Sequence, residues 1–287
     1  MVEHSISLPY SSEASYLHRG LGHVEFFDYP LNDMAELKKS YEEMAVNGHK
    51  GLSFHAPMPR PVFFPFSGVT CFFLNEEPER RDLSFQVIED TLQYARDWGA
   101  DYVVTHLTYG RTDTSDPNKA KQLAREACER LAALSNDYRV PINIEFAAYT
   151  QAFNEPEQFI ELVSQHTELG ICIDTGHTMF GAQIHKRDYF DDIAILAPHT
   201  RSMHLWNTRC EVHDHIPLHP SQSPQEGWID IEQTLEIVLA QNTNCTIIFE
   251  YPVVEVTSNI QEGYDWIENI VKTITHKHIT LKEKVMS

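Results

Sequence analysis

Cys172-Ile-Asp-Thr-Gly-His177 reads as an apolar strand that stops on a carboxylate and is followed at once by a histidine. Five other stretches repeat that shape. Leu52–Pro57 (LSFHAP) carries His55, Val103–Thr108 (VVTHLT) carries His106, and Ile142–Phe146 (INIEF) carries Glu145. Met203–Asn207 (MHLWN) carries His204, and Ile247–Tyr251 (IIFEY) carries Glu250. In each, an apolar, β-prone run ends on a group that can ionise or bind a metal. Short apolar runs bounded by turn signals read as strands buried in a parallel sheet.

Working outward, the strand candidates are Ser5–Tyr10, Val24–Tyr29, Gly51–Pro57, Tyr102–Leu107, Ile142–Phe146, Gly170–Asp174, Ser202–Trp206 and Ile247–Tyr251. Helical patterns separate them. Asn32–Val46 repeats apolar residues at Met34, Leu37, Tyr41 and Met44, and Arg80–Trp98 does so through Leu83, Val87, Leu92 and Ala95 before Gly99. Pro117–Leu134 follows Asp116, a suitable cap ahead of a first-turn proline. Pro156–His166, Arg187–Leu196, Ile229–Ala240 and Asn259–Ile274 complete the set. Only the segment between the first two strands lacks a well-marked helix. Strands alternating with helices predict a parallel sheet. Eight such units predict a closed (β/α)8 TIM barrel, an α/β fold, as one domain over residues 1–287. An open doubly wound sheet is the alternative, but it usually carries a Gly-rich phosphate turn after its first strand, and the chain has none.

The 287 residues suit one such barrel, which typically takes about 250. With 42% hydrophobic residues the chain has enough for a large core. The formal net charge of -20 repels nucleic acid and anionic membranes at long range unless a local basic cleft or metal ions offset it. Five scattered cysteines without a CxxC pair suit a reducing compartment. No basic segment followed by an apolar stretch opens the chain, and no apolar run is long enough to span a membrane. A cytoplasmic protein acting on a small molecule, alone or as a homo-oligomer, is expected.

In a closed barrel the six strand ends converge, and such a cluster is costly without compensation. A divalent cation compensates, and two glutamates, an aspartate and a histidine suit Mn, Mg, Co or Zn. The extra imidazoles favour Zn or Mn. Plainer roles exist for single members: His55 as a hydrogen-bonded loop residue, Asp174 as a helix cap with His177 on the first turn, and His213 and His215 as solvated loop residues. Two loops follow strand ends on this face. Met58–Glu79 brings Phe63, Phe64, Phe66, Phe72 and Phe73, which suit a cover over the pocket or a contact between subunits. Asn207–Trp228 brings His213, Asp214 and His215.

The ordered set His, His, Glu, Asp-x-x-His, His, Glu resembles the xylose isomerase-like superfamily from about Val24 to Tyr251. That group includes endonuclease IV and sugar isomerases and epimerases. In the epimerase branch the resemblance implies one metal on Glu145, Asp174, His204 and Glu250. Glu145 and Glu250 would also pass a proton through a metal-stabilised enediolate, with His177 on a carbohydrate substrate. In the endonuclease IV branch it implies three zinc ions that add His55, His106, His177 and an Asp-x-His pair. The chain departs there, reading His213-Asp214-His215, with Glu211-x-His213 as another match. A metal-dependent sugar isomerase or epimerase is therefore expected; an endonuclease IV-like phosphodiesterase and a dehydratase are the alternatives. The few basic residues near the mouth (Arg60, Arg111, Lys186, Arg187 and Arg209) speak against the phosphodiesterase.

Overall fold

A computed structural model describes residues 17–20, 22–46, 51–63, 71–108, 110–209, 214–251, 253 and 256–285. Eight strands close a barrel in chain order: β1 Leu17–Gly20, β2 His23–Phe27, β3 Gly51–His55, β4 Tyr102–His106, β5 Ile142–Glu145, β6 Leu169–Asp174, β7 Thr200–Leu205 and β8 Thr246–Phe249. Helices α1 Met34–Val46, α2 Pro78–Trp98, α3 Pro117–Tyr138, α4 Pro156–Val163, α5 Thr175–His185, α6 Tyr189–Leu196, α7 Ile231–Gln241 and α8 Ser258–Val285 surround it. Among the described residues no helix is long and apolar enough to cross a membrane.

From β2 to β8 each strand pairs parallel with the next. β1 differs, running antiparallel to both β2 and β8. The expectation of eight parallel units is corrected at this strand. Only Leu21 and Gly22 join β1 to β2, and a parallel crossover needs a dozen residues or more, so this pair can only be a hairpin. Gly22 has a positive φ of 78°, which suits that turn. Ser5–Tyr10 lies outside the described residues.

Local chemistry accounts for the helix ends. Asp116 accepts hydrogen bonds from the backbone N–H groups of Asn118 and Lys119, with Pro117 in the first turn of α3. α2 stops where Gly99 turns left-handed at φ 72°. α5 was not among the helical patterns read from periodicity, but the plainer role considered for Asp174, a cap with His177 on the first turn, is the one observed. The helix starts at the last residue of β6, because the Asp174 side chain caps it by accepting from His177 N–H.

The strands were expected to be apolar on both faces; they alternate instead. Outward residues meet the helices: Phe26 lies against Tyr41 of α1 and Trp98 of α2, and Phe54 packs on the same Trp98 ring. Val24, Leu52, Ile142, Ile144, Ile171, Met203 and Phe249 join that outer core. The inward positions are largely polar and buried: Glu25, Ser53, His55, Asn143, Glu145, Ser202 and His204. A small apolar cluster of Tyr102, Val104 and Cys172 shares the interior with them. With a period of two, a polar residue mid-strand must point either into the barrel or into the helix layer. Here it points into the barrel.

Candidate metal centre

Glu145 ends β5 at the centre of the mouth and is fully buried. Four imidazoles surround its carboxylate. His55 Nε2 and His106 Nε2 lie 3.0 and 3.2 Å from Oε2, His204 Nδ1 lies 3.4 Å from Oε2, and His177 Nε2 lies 3.4 Å from Oε1. Strand register sets this up, since His106 pairs directly with Glu145 and Asp174 with His204. Burial opposes a charge on Glu145. The neighbouring His106 and the hydrogen bonds from His106, His204 and His55 overcome that and hold its carboxyl well below the usual carboxylate range.

Asp174 is held through both oxygens. Oδ1 accepts from His177 N–H at 2.5 Å, and Oδ2 accepts from Trp206 Nε1–H at 2.7 Å. Gly176 makes the second bond possible, because a Cβ there would sit 2.1 Å from the Trp206 ring. Burial, then the adjacent Glu250 carboxylate, push the Asp174 carboxyl well above its usual range. Glu250 follows β8 and extends the ladder by donating its N–H to Leu205 O. Its Oε2 lies 3.3 Å from His204 Nδ1 and 3.9 Å from His215 Nε2.

His177 sits in the first turn of α5. Its Nδ1 is 2.5 Å from the Tyr149 hydroxyl. Burial lowers its pKa to about 3, so it is neutral at physiological pH. His55 donates from Nδ1 to the Ala56 carbonyl at 2.9 Å, which leaves Nε2 facing Glu145. Burial opposes protonation of His55, but Glu145 raises its pKa on balance. His215, less buried than the others, packs on Trp206 with ring centroids 4.2 Å apart and planes tilted by 31°.

The donors suit a divalent cation. One ligand atom each from Glu145, Asp174, His204 and Glu250 fall within 4.8 Å of one another, as do those of His55, Glu145 and His204, and those of His177, His215 and Glu250. Two carboxylates as close as Asp174 and Glu250 repel unless a proton or cation lies between them. Glu145 Oε1, fully buried, makes no hydrogen bond among the described residues. A cation would satisfy both conditions.

His213 lies outside the described residues, as do Phe64 and Phe66. Phe72 and Phe73 are buried in the outer core, and Phe73 packs on Phe85 of α2 at 4.9 Å, so these two form no cover over the pocket. Of the basic residues near the mouth, Arg60 is paired with Asp28, Arg187 with Asp192, and Arg209 lies over Trp228. The reading of strand ends missed Glu25, Tyr149 and Trp206. Glu25 carried a visible signal, an acid within the apolar run His23–Phe27, the same feature that marks Glu145.

A family model described as "Xylose isomerase-like TIM barrel" matches residues 16–270. Among solved structures, a D-tagatose 3-epimerase-like protein is similar at 16% identity and a TM-score of 0.64, covering 84% of each chain. An L-ribulose 3-epimerase is similar at 13% identity and a TM-score of 0.61, over 83% of this chain and 81% of that one. The IOLI protein, with a bound zinc atom, is similar at 14% identity and a TM-score of 0.58, over 86% and 85%. At these identities the likeness is one of fold. No protein of curated function matches the chain significantly in sequence.

Proposed function

The chain belongs to the xylose isomerase-like TIM barrel family, and from that premise we propose that it is a divalent-metal-dependent epimerase or isomerase acting on a sugar or related keto compound. The observation that carries this is the convergence of Glu145, Asp174, His204 and Glu250 within 4.8 Å at the mouth of the barrel. The epimerases among the similar structures support a carbohydrate substrate, and the zinc-bound IOLI structure supports a divalent metal.

A cation held by those four residues would act as a Lewis acid on a carbonyl and its neighbouring hydroxyl, making the adjacent C–H acidic. Glu145 and Glu250 come from β5 and the end of β8, with β6 and β7 between them. A substrate carbon seated there meets a carboxylate on each side. One takes the proton while the electron pair of the C–H bond shifts towards the carbonyl. The other returns a proton as the pair shifts back, and the product keeps the substrate's mass. Glu145 is ionised at neutral pH, the state in which it can take a proton. His177, neutral and held by Tyr149, offers a hydrogen bond to a substrate hydroxyl. A neutral substrate fits a chain of net charge -20 whose mouth arginines Arg60 and Arg187 are already paired with carboxylates.

The test is a panel of ketopentoses and ketohexoses incubated with metal-loaded protein in D2O. An isomeric product carrying solvent deuterium at one carbon supports the proposal. A product lighter by one water makes the protein a dehydratase, and no exchange with any sugar overturns the proposal. A second reading, a multinuclear phosphodiesterase, is favoured by the histidines outside the four-residue set. His55 and His106 face Glu145, and His177 and His215 group with Glu250. Cleavage of abasic DNA by the same preparation would favour it.

A further inference from the structure

β2 places one carboxylate deeper in the barrel than the cluster at the mouth. Glu25 is fully buried. Its Oε1 lies 2.7 Å from His204 Nε2, and its Oε2 accepts from Ser53 Oγ–H at 2.7 Å. Ser53 Oγ in turn lies 2.9 Å from His23 Nε2. The direction of this chain is fixed by chemistry. A hydroxyl has one proton, and Ser53 gives it to Glu25, so His23 Nε2 must donate to Ser53. With Glu25 ionised its carboxylate only accepts, so His204 carries a proton on Nε2. Nδ1 is then the His204 nitrogen that faces the mouth and would bind a cation there, with Glu145 Oε2 and Glu250 Oε2 3.4 and 3.3 Å away. A histidine that binds a metal through one nitrogen is typically oriented through the other by a carboxylate, which also strengthens it as a donor.

We propose that Glu25 is the positioning residue of the metal centre: it holds His204 in the Nε2–H tautomer with Nδ1 presented as the ligand, and so sets cation affinity from beneath the site. This rests on the reading of the mouth as a divalent-metal site. It explains why an acid is kept at a fully buried position beneath the mouth. Uncompensated, that burial would be costly; the protons of His204 and Ser53 compensate it.

The test compares Zn2+ and Co2+ affinity of the wild type and Glu25→Gln by competition with a chromophoric chelator. Glutamine keeps the size and an oxygen for His204, and its amide can donate to Ser53, so chiefly the charge is lost. The expected result is affinity weaker by roughly 10- to 100-fold, with the melting temperature of the metal-free protein little changed. Equal affinity in the two proteins overturns the role of Glu25 while leaving the metal site standing. No binding by the wild type overturns both. A second measurement needs no variant: 15N NMR of histidine-labelled, zinc-loaded wild type. Zinc on Nδ1 of His204, with a proton on Nε2, supports the proposal, and zinc on Nε2 overturns it.

Discussion

Gly176→Ala places a methyl group where the indole of Trp206 already lies. The new Cβ would be 2.1, 2.2 and 2.3 Å from Cζ2, Cη2 and Cε2 of that ring, well inside van der Waals contact. The ring has little room to yield, being fully buried, packed against His215 and bonded to Asp174 through Nε1. Overpacking of this kind costs about 1–3 kcal/mol. Displacing the indole also leaves Asp174 Oδ2 without its donor, for about another 1–3 kcal/mol. The gain in helix propensity from glycine to alanine returns at most ~1 kcal/mol. The net loss is about 3 kcal/mol, which lowers the melting temperature by roughly 10 °C at ~2–4 °C per kcal/mol. Gly181→Ala on the same helix is the comparison, since its Cβ would meet Ala148 Cβ at 2.9 Å, a milder clash. Thermal unfolding of the metal-free variants, followed by chelator competition, reads both effects. Gly176→Ala should be the less stable of the two and should bind metal more weakly than the wild type. If it melts and binds like the wild type, the locking of Asp174 by Trp206 is refuted.

Glu145→Gln and Glu250→Gln should each lower kcat by about 10²–10⁴-fold, the usual contribution of a general acid or base; unchanged turnover in either would remove it from the proton-transfer pair. Chelation should abolish turnover and lower the melting temperature, and both should recover when metal is restored, because a ligand bound only to the native state stabilises it. His177, with a folded pKa of about 3, binds a proton more readily when unfolded, so its contribution to stability is present above about pH 6.5 and is lost as pH falls towards 3. The metal-free His177→Gln variant should therefore lose less stability than the wild type between pH 7 and pH 5 in thermal melts, and an equal loss would contradict the assignment.

The barrel was legible in the sequence because its parallel strands end in chemistry. An apolar run that stops on His, Asp or Glu marks both the strand and its mouth-facing end: His55, His106, Glu145 and Asp174 are the last residues of their strands, His204 is the last but one of β7, and Glu250 follows β8. β1 was not legible. Leu-His-Arg-Gly has neither alternation nor an apolar run, and its place in the sheet comes from pairing with β2 and β8. α5 was obscured because Thr175–His185 contains two glycines and little helical periodicity; its start depends on the cap from Asp174. Glu25 was missed because attention to strand ends passes over acids in mid-strand. Ser53, Asn143 and Ser202 show the same inward polar pattern, which only a barrel with a polar interior makes meaningful. Phe72 and Phe73 mislead for the opposite reason, since an aromatic loop segment reads alike whether it covers a pocket or packs beneath a helix.

The central claim is that the mouth of this barrel binds a divalent metal through Glu145, Asp174, His204 and Glu250. The most direct measurement is metal content per chain by elemental analysis, on untagged protein purified without chelators, for the wild type and for a Glu145→Gln, Glu250→Gln double variant. The account predicts at least one equivalent of Mn, Co, Mg or Zn in the wild type and a large loss in the variant. Two or three zinc ions per chain would keep the site but move the function towards the phosphodiesterase. A wild type that holds no metal even after reconstitution would contradict the account.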